Sequence, residues 1–300
     1  MDIKRDDVKI VSIIPVWEEQ NMIGLSLAST KDFVYQYIIL LQKSNDKSRD
    51  VIEYCQKIWN LNIIIIETEV RLREKRRMAI DMAKSYADYY LIQDADEIYY
   101  EDSRERIYDL INDGFTFCHT SILFLEKTLL HTPKDESQIW LVPHPFLFKN
   151  VDDIYFPDFG DMPLYNPNMK YHKVFTTGDK KNPFKFDCKI KNFKRVFLRE
   201  VFTPWHDNMD FKGNIEEYAD KYHHTVIWYR ENVDASLGLD EIIDRYEKHI
   251  TSSDEEYFKW HKLYDENEYH KYPEIIRKFI DWGKIKGVEN LDDLKYLDKL

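Results

Sequence analysis

A chain of 300 residues with 43% hydrophobic and 15% aromatic content can bury a real core, as one large domain or one domain with an appendage, which excludes a disordered or fibrous protein. Its 43 Lys and Arg against 55 Asp and Glu leave a net charge of −12, which repels a phosphate backbone and disfavours nucleic acid as a general partner. The three cysteines, Cys55, Cys118 and Cys188, are odd in number and far apart, so neither a disulfide framework nor a CxxC metal site is expected and a reducing, cytoplasmic setting fits.

The N-terminal MDIKRDDVKIVSIIP is charged ahead of an apolar run of about eight residues, well short of the ~20 that a membrane helix needs. It lacks a small-residue cleavage site, so neither a signal peptide nor a membrane span is expected. Four short apolar runs then follow in order: VKIVSIIPV (8–16), YQYIILL (35–41), NIIIIET (62–68) and DYYLIQ (88–93). Segments with helical spacing, DVIEYCQKIWNL and REKRRMAIDMAKSYA, lie between them. Near-continuous apolar strands alternating with helices predict an α/β sandwich around a mostly parallel sheet. In such sheets ligands bind beyond the carboxyl ends of the strands, which here carry PVWEE, QKSNDKS and DADE.

From about 115 to 205 the chain becomes rich in proline and aromatics, as in VPHPFLF, FPDFGDMPLYNP and KKNPFKFDC, which predicts short strands and ordered loops covering that edge. After Asn214 the pattern is amphipathic and helical through IEEYADKYHHTVIWYR, LDEIIDRYEKHI, DEEYFKWHKLY and PEIIRKFIDWGKI. These features divide the chain into residues 1–212 and a helical extension over 213–300 that can shape ligand binding or homo-oligomer formation. His223 and His224 fall within an amphipathic helix and are read as structural.

The stretch YYLIQDADEI delivers Asp94, Asp96 and Glu97 to one strand end. Hard divalent cations take oxygen ligands, and Mg²⁺ or Mn²⁺ typically bind one or two protein carboxylates, with substrate phosphates and water completing the sphere. The alternative is a solvated acidic turn. Position after a fourth strand of an α/β sheet favours the metal, carrying a diphosphate.

In this order, PVWEE, a strand followed by SNDKS, RRMAI and ADYYLIQDADE resemble the motifs of nucleotide-diphospho-sugar glycosyltransferases of the GT-A fold, most closely the inverting family-2 enzymes. Pro15, Val16, Trp17 and Glu18 fall on the first motif, Asp46 on the last aspartate of the second and Arg76 on the arginine of the third. Asp88 and Tyr89 fall on the Gly-Asp-Tyr step, and Asp94 and Asp96 on the D-x-D. The resemblance covers about residues 8 to 100 and implies a Rossmann-like α/β/α sandwich, a nucleotide-diphosphate sugar donor and a Mn²⁺ or Mg²⁺ cofactor. It places Asp96 on the metal, Asp94 on the ribose or metal, Glu97 behind them, Trp17 along the nucleobase, and Pro15, Glu18, Asp46 and Arg76 around the donor. Arg73 or Arg77 could serve in place of Arg76, the rest of RLREKRR forming a solvated basic face. A late histidine as a further metal ligand, implied by the same family, would be His206 in TPWHDN.

The departures from the family pattern are specific. Gln42 and Lys43 stand where two aspartates usually close the second strand, so the carboxylate that reads uracil is missing, and Arg77 and Ala79 replace an asparagine and a glycine. Inverting transfer also needs a base to take the proton of the acceptor hydroxyl. DIYFPDFGDMPLYNP offers Asp153, Asp158 and Asp161 beside aromatics suited to a sugar face, with Asp161 favoured and Asp158 next. The acceptor (glycan, lipid, protein or modified base) is not legible. A haloacid-dehalogenase-type phosphatase would carry its D-x-D on the first strand with Thr or Val two residues on, whereas Ile98 stands there. A non-catalytic module gripping a glycan or nucleotide sugar is the other alternative, and the retained Asp94, Asp96 and His206 weigh against it.

Overall fold

The computed structural model describes residues 7–17, 19–43, 46–70, 72–120, 122–126, 131–133, 144–152, 154–155, 164–165, 173–176, 185–189, 236, 241, 261–263, 273–281 and 291–300. The first half alternates as the apolar runs predict. It runs β1 (Ile10–Val16), α1 (Ile23–Thr30), β2 (Gln36–Leu41), α2 (Ser48–Trp59), β3 (Ile63–Glu67), α3 (Leu72–Ala83) and β4 (Tyr89–Ile92). There follow β5 (Glu97–Tyr99), α4 (Ser103–Asn112), β6 (Phe117–Thr120), β7 (Ile122–Glu126), β8 (His131–Pro133) and β9 (His144–Lys149). Then come β10 (Ile154–Tyr155), β11 (Leu164–Tyr165), β12 (Val174–Thr176), β13 (Lys185–Lys189), β14 (His261–Leu263), α5 (Glu274–Asp281) and a 3-10 helix, Leu291–Lys299.

Seven strands form the main sheet in the order β12-β6-β9-β4-β1-β2-β3. The pairs β1–β2, β2–β3, β1–β4 and β6–β12 are parallel, and β9 runs antiparallel between β4 and β6. Alternate strand residues supply two separate cores, as the pleat requires. Ile14, Val16, Ile39 and Leu41 pack with α1 and α2, whereas Val11, Ile13, Ile38, Leu40, Tyr90 and Ile92 pack with Ala79, Ile80 and Ala83 of α3. The expected α/β/α sandwich with a mostly parallel sheet is the one observed. A second sheet, β14-β8-β7-β13-β5, begins where β5 leaves the end of β4.

Two prolines mark where the ladder stops. Ile13 accepts a hydrogen bond from Gln93 N at 3.2 Å, so by alternation Pro15, two residues on, turns its missing N–H to the same side, beyond the last β1–β4 partners, Ile13 and Ile92. No donor is lost, and the sheet opens into a crevice there. In β9, Pro145 pairs with His119 just past a register shift between Cys118 and His119, and the β4 pairing ends at Leu147. The strand therefore tolerates a proline that would otherwise break a central strand.

The C-terminal elements differ from a plain helical reading. His261–Leu263, within a stretch whose spacing predicts a helix, pairs antiparallel with β8. Three residues reaching a strand edge override the amphipathic pattern of DEEYFKWHKLY. Helix α5 forms as predicted, and Glu101 accepts hydrogen bonds from Glu274 N and from Arg277 Nη2, the latter at 3.3 Å. Ile276, Leu294, Tyr296 and Leu297 share one core with Ile14, Leu25, Val51 and Ile52. The helix α1 lets them in through Gly24, where a Cβ would lie 3.0 Å from Leu297 Cδ1 and 3.3 Å from Val51 Cγ1. Tyr54 Oη also donates to Asp298 at 2.7 Å. The 212/213 boundary itself lies outside the described residues. No described helix is long and apolar enough to cross a membrane.

Candidate active site

β1 leads to β2 and β3 on one side, and the chain then returns to place β4 on the other, so the carboxyl ends of β1 and β4 flank a topological switch point. Beyond it lie Trp17 and the turn Asp94–Ala95–Asp96. The turn is built inward from its middle residue. Ala95 is buried in the core beside Ile98, a small apolar pin that holds an acid on each side of it at the edge. Glu97, buried, closes the loop: its Oε2 accepts from Asp94 N at 3.0 Å, and its own N donates to Asp94 O at 3.0 Å.

Beneath the turn sits Gln93, which the sequence did not single out. Its Oε1 accepts from Ser12 Oγ at 3.0 Å, while Nε2 donates to Ser26 Oγ at 2.8 Å, Ser26 O at 3.2 Å and Glu97 O at 3.3 Å. Ser26 Oγ reaches Asp94 O at 3.4 Å. One fully buried amide thus ties β1, α1 and both sides of the acidic turn. Gln93→Leu keeps the bulk but leaves several of these buried groups unpaired, each costing ~1–3 kcal/mol. A net loss of about 3 kcal/mol is expected, read as a lower urea midpoint at unchanged m value.

On the opposite face, successive residues of α3 brace two different strands. Arg76, 2% exposed, forms an ion pair through Nη2 with Asp94 Oδ1 at the end of β4. Lys75, 4% exposed, donates from Nζ to Gln42 Oε1 at 2.7 Å at the end of β2. Between those strands lies β1, and alternation from Val11 and Ile13 puts Trp17 on this same α3 face. Gln42 N donates to Val16 O at 2.9 Å, which sets it beside Trp17. Arg76 therefore reaches the acidic turn, while exposed Arg77 pairs with Asp81 at 3.8 Å.

Burial pushes the Lys75 ammonium down to about 8, against a smaller upward pull from Glu69. Its folded-state value lies below the unfolded one, so the unfolded chain binds more protons between the two and the destabilising charge is relieved as pH rises through that window. Cys55 and Cys118, whose thiols burial pushes far up, act oppositely, because only the unfolded chain ionises them. Comparison with Lys75→Met cancels those common terms. The stability of the parent relative to the variant should rise by about 2 kcal/mol between pH 8 and pH 10, measured by urea unfolding.

The remaining expected residues fall as follows. Asp46 sits with the loops: Oδ2 accepts from Gln20 N at 3.0 Å and Ser48 Oγ at 2.6 Å, and Oδ1 from Ser48 N at 3.1 Å. Ser48 Oγ in turn accepts from Glu19 N at 2.8 Å, so Asp46 joins the β1–α1 loop to the start of α2. Asp88 Oδ2 accepts from Lys9 N at 2.8 Å and aligns the starts of β1 and β4. Glu18, Asp153, Asp158, Asp161 and His206 lie outside the described residues. The structure thus brings Pro15, Trp17, Arg76, Asp94 and Asp96 to one edge and gives Asp46 a place in the adjoining loop.

Among the described residues no three His, Cys, Asp or Glu side chains form a metal-holding group. Asp94 and Asp96 nevertheless fit a divalent cation carried by a diphosphate, because such sites use one or two protein carboxylates and take their other oxygens from phosphate and water. Arg76 limits the net negative charge of the pair, which suits a cation that arrives with its own anionic ligand.

No curated protein matches the chain. It is similar in structure to TarS of S. aureus, at 13% identity and a TM-score of 0.40, covering 97% of this chain and 55% of that one. Glucosyl-3-phosphoglycerate synthase from Mycobacterium tuberculosis, solved with Mn²⁺, uridine diphosphate and phosphoglyceric acid, aligns at 10% identity and a TM-score of 0.33, over 49% of this chain and 57% of that one. A 4-diphosphocytidyl-2C-methyl-D-erythritol synthase from Anaerococcus prevotii aligns at 11% identity and a TM-score of 0.33, over 48% and 72%. The chain spans about half the length of the first two. Residues 12–167 match the sequence profile of glycosyl transferase family 2, a span running from β1 through both sides of the crevice and the acidic turn to β11, and covering more than half of the chain. The chain belongs to glycosyl transferase family 2.

Proposed function

We propose that this protein transfers a glycosyl group from a nucleotide-diphosphate sugar to an acceptor hydroxyl, with inversion and with Mn²⁺ or Mg²⁺ at Asp96 and Asp94. The observation that carries this reading is the pinned Asp94–Ala95–Asp96 turn at the switch point of the sheet, backed by the Arg76 ion pair. When bound, the cation neutralises the nucleoside diphosphate as it leaves. The chain's own residues do the rest. Trp17 offers a face to the nucleobase, Arg76 orients Asp94 toward the ribose or the metal, and the Gln93 network holds the turn rigid. The base taking the acceptor proton is assigned to Asp161, with Asp158 as the alternative, and His206 to a further metal ligand. Residues 1–212 form the transferase region in this reading, and 213–300 shape the acceptor side.

The test is thermal unfolding with a panel of nucleoside diphosphates and nucleotide sugars, each with and without Mn²⁺. A ligand that binds only the native state raises its melting temperature, by an amount equivalent to about 2.7 kcal/mol at a hundredfold excess over Kd. Stabilisation by a nucleotide only in the presence of the cation is expected. Silence across the whole panel would sink the transferase reading.

A further inference from the structure

We infer that Gln42, clamped by Lys75, turns its Nε2 donors to the nucleobase of the donor, and so favours a base whose Watson–Crick edge carries a ring-nitrogen acceptor over one carrying a ring N–H. This rests on the proposed donor site and names the base that site takes.

The orientation of the Gln42 amide is fixed by chemistry rather than by assignment. An ammonium has donors only, so the Gln42 atom 2.7 Å from Lys75 Nζ is the carbonyl oxygen, and Nε2 is the atom left to face elsewhere. Lys75 is held in place by its burial, which makes the clamp a fixed part of the α3 face rather than a surface contact. Gln42 itself is only half-buried, at the carboxyl end of β2 beside Val16 and Trp17, and on the same face as Trp17 and Asp94.

A diphosphate at Asp94 and Asp96 with its base along Trp17 runs from β4 across β1. The next strand is β2, about 4.8 Å further on, so the base edge meets Gln42. Two N–H donors there pair with the ring nitrogen N3 of cytosine or N1 of adenine. At the ring position they stand donor against donor with N3–H of uracil and N1–H of guanine, which leaves only the flanking carbonyls of those bases to accept. A site whose buried polar groups are left unpaired by the wrong ligand rejects it strongly.

Isothermal titration of CDP, ADP, UDP and GDP in Mn²⁺ tests this on the full chain, alongside Gln42→Glu and Lys75→Met, each checked for cooperative unfolding. The parent is expected to bind CDP or ADP at least tenfold more tightly than UDP and GDP. Gln42→Glu places a carboxylate acceptor there and should move the preference toward UDP or GDP. Lys75→Met lets the amide turn either atom outward and should flatten the discrimination while some nucleotide binding persists. A parent that prefers UDP or GDP, or a preference unchanged in both variants, overturns the assignment to Gln42 and leaves the transferase reading standing. Binding of none of the four by the parent overturns both.

Discussion

Asp96→Ala is expected to lower kcat/KM for sugar transfer by about 10³-fold while the melting temperature stays within a few degrees of the parent, since removing one preorganised charge-stabilising group from an active site typically costs 10²–10³ in rate. The turn explains why stability should survive. Asp96 is itself buried, but Ala95 in the core, the two Asp94–Glu97 hydrogen bonds and Gln93 below all remain in the variant and keep the turn folded. The same variant should lose the cation-dependent part of nucleotide stabilisation. Wild-type turnover by a correctly folded Asp96→Ala protein would show that this carboxylate has no part in the chemistry.

Removing residues 291–300 should have the opposite profile, a failure of folding rather than of chemistry. Leu294 and Leu297 are fully buried and Tyr296 nearly so, against Ile14, Leu25, Val51 and Ile52. At ~1.5–3 kcal/mol per buried side chain these three contribute about 6 kcal/mol, comparable with the whole stability of an ordinary domain. The shortened chain should therefore show no cooperative urea transition. Leu297→Ala, which removes a single side chain next to Gly24, should cost about 3 kcal/mol and remain folded. Full cooperativity in the shortened chain would mean that the N-terminal half folds without this cover.

Much of the N-terminal half was legible because parallel strands buried on both faces read as unbroken apolar runs, and β1 through β4 follow them closely. The acids at the end of β4 were legible for the related reason that a carboxylate cluster directly after such a run stands out. β9 was not, because a proline argues against a central strand, and only the register shift at Cys118/His119 makes room for it. Lys75 was hidden inside RLREKRR, where six charges in seven residues suggest a solvated face. Its burial is set by the distance from α3 to the end of β2, which no local pattern records. Asp46 aligned with a family motif, yet its contact to Gln20 depends on a loop 26 residues away in sequence. The C-terminal pattern showed amphipathic helix but not which surface its apolar side would cover.

That cover imposes an order on synthesis. The strands of the N-terminal half leave the ribosome early, at about 5–20 residues per second, and domains generally begin to fold as they emerge. The apolar face of α1 and α2, however, waits for Leu294 and Leu297, made long afterwards. Through that interval the nascent chain carries apolar strands and helices whose core is still incomplete, a surface for chaperones to hold, and a product ending before Leu294 would not fold into a smaller working enzyme.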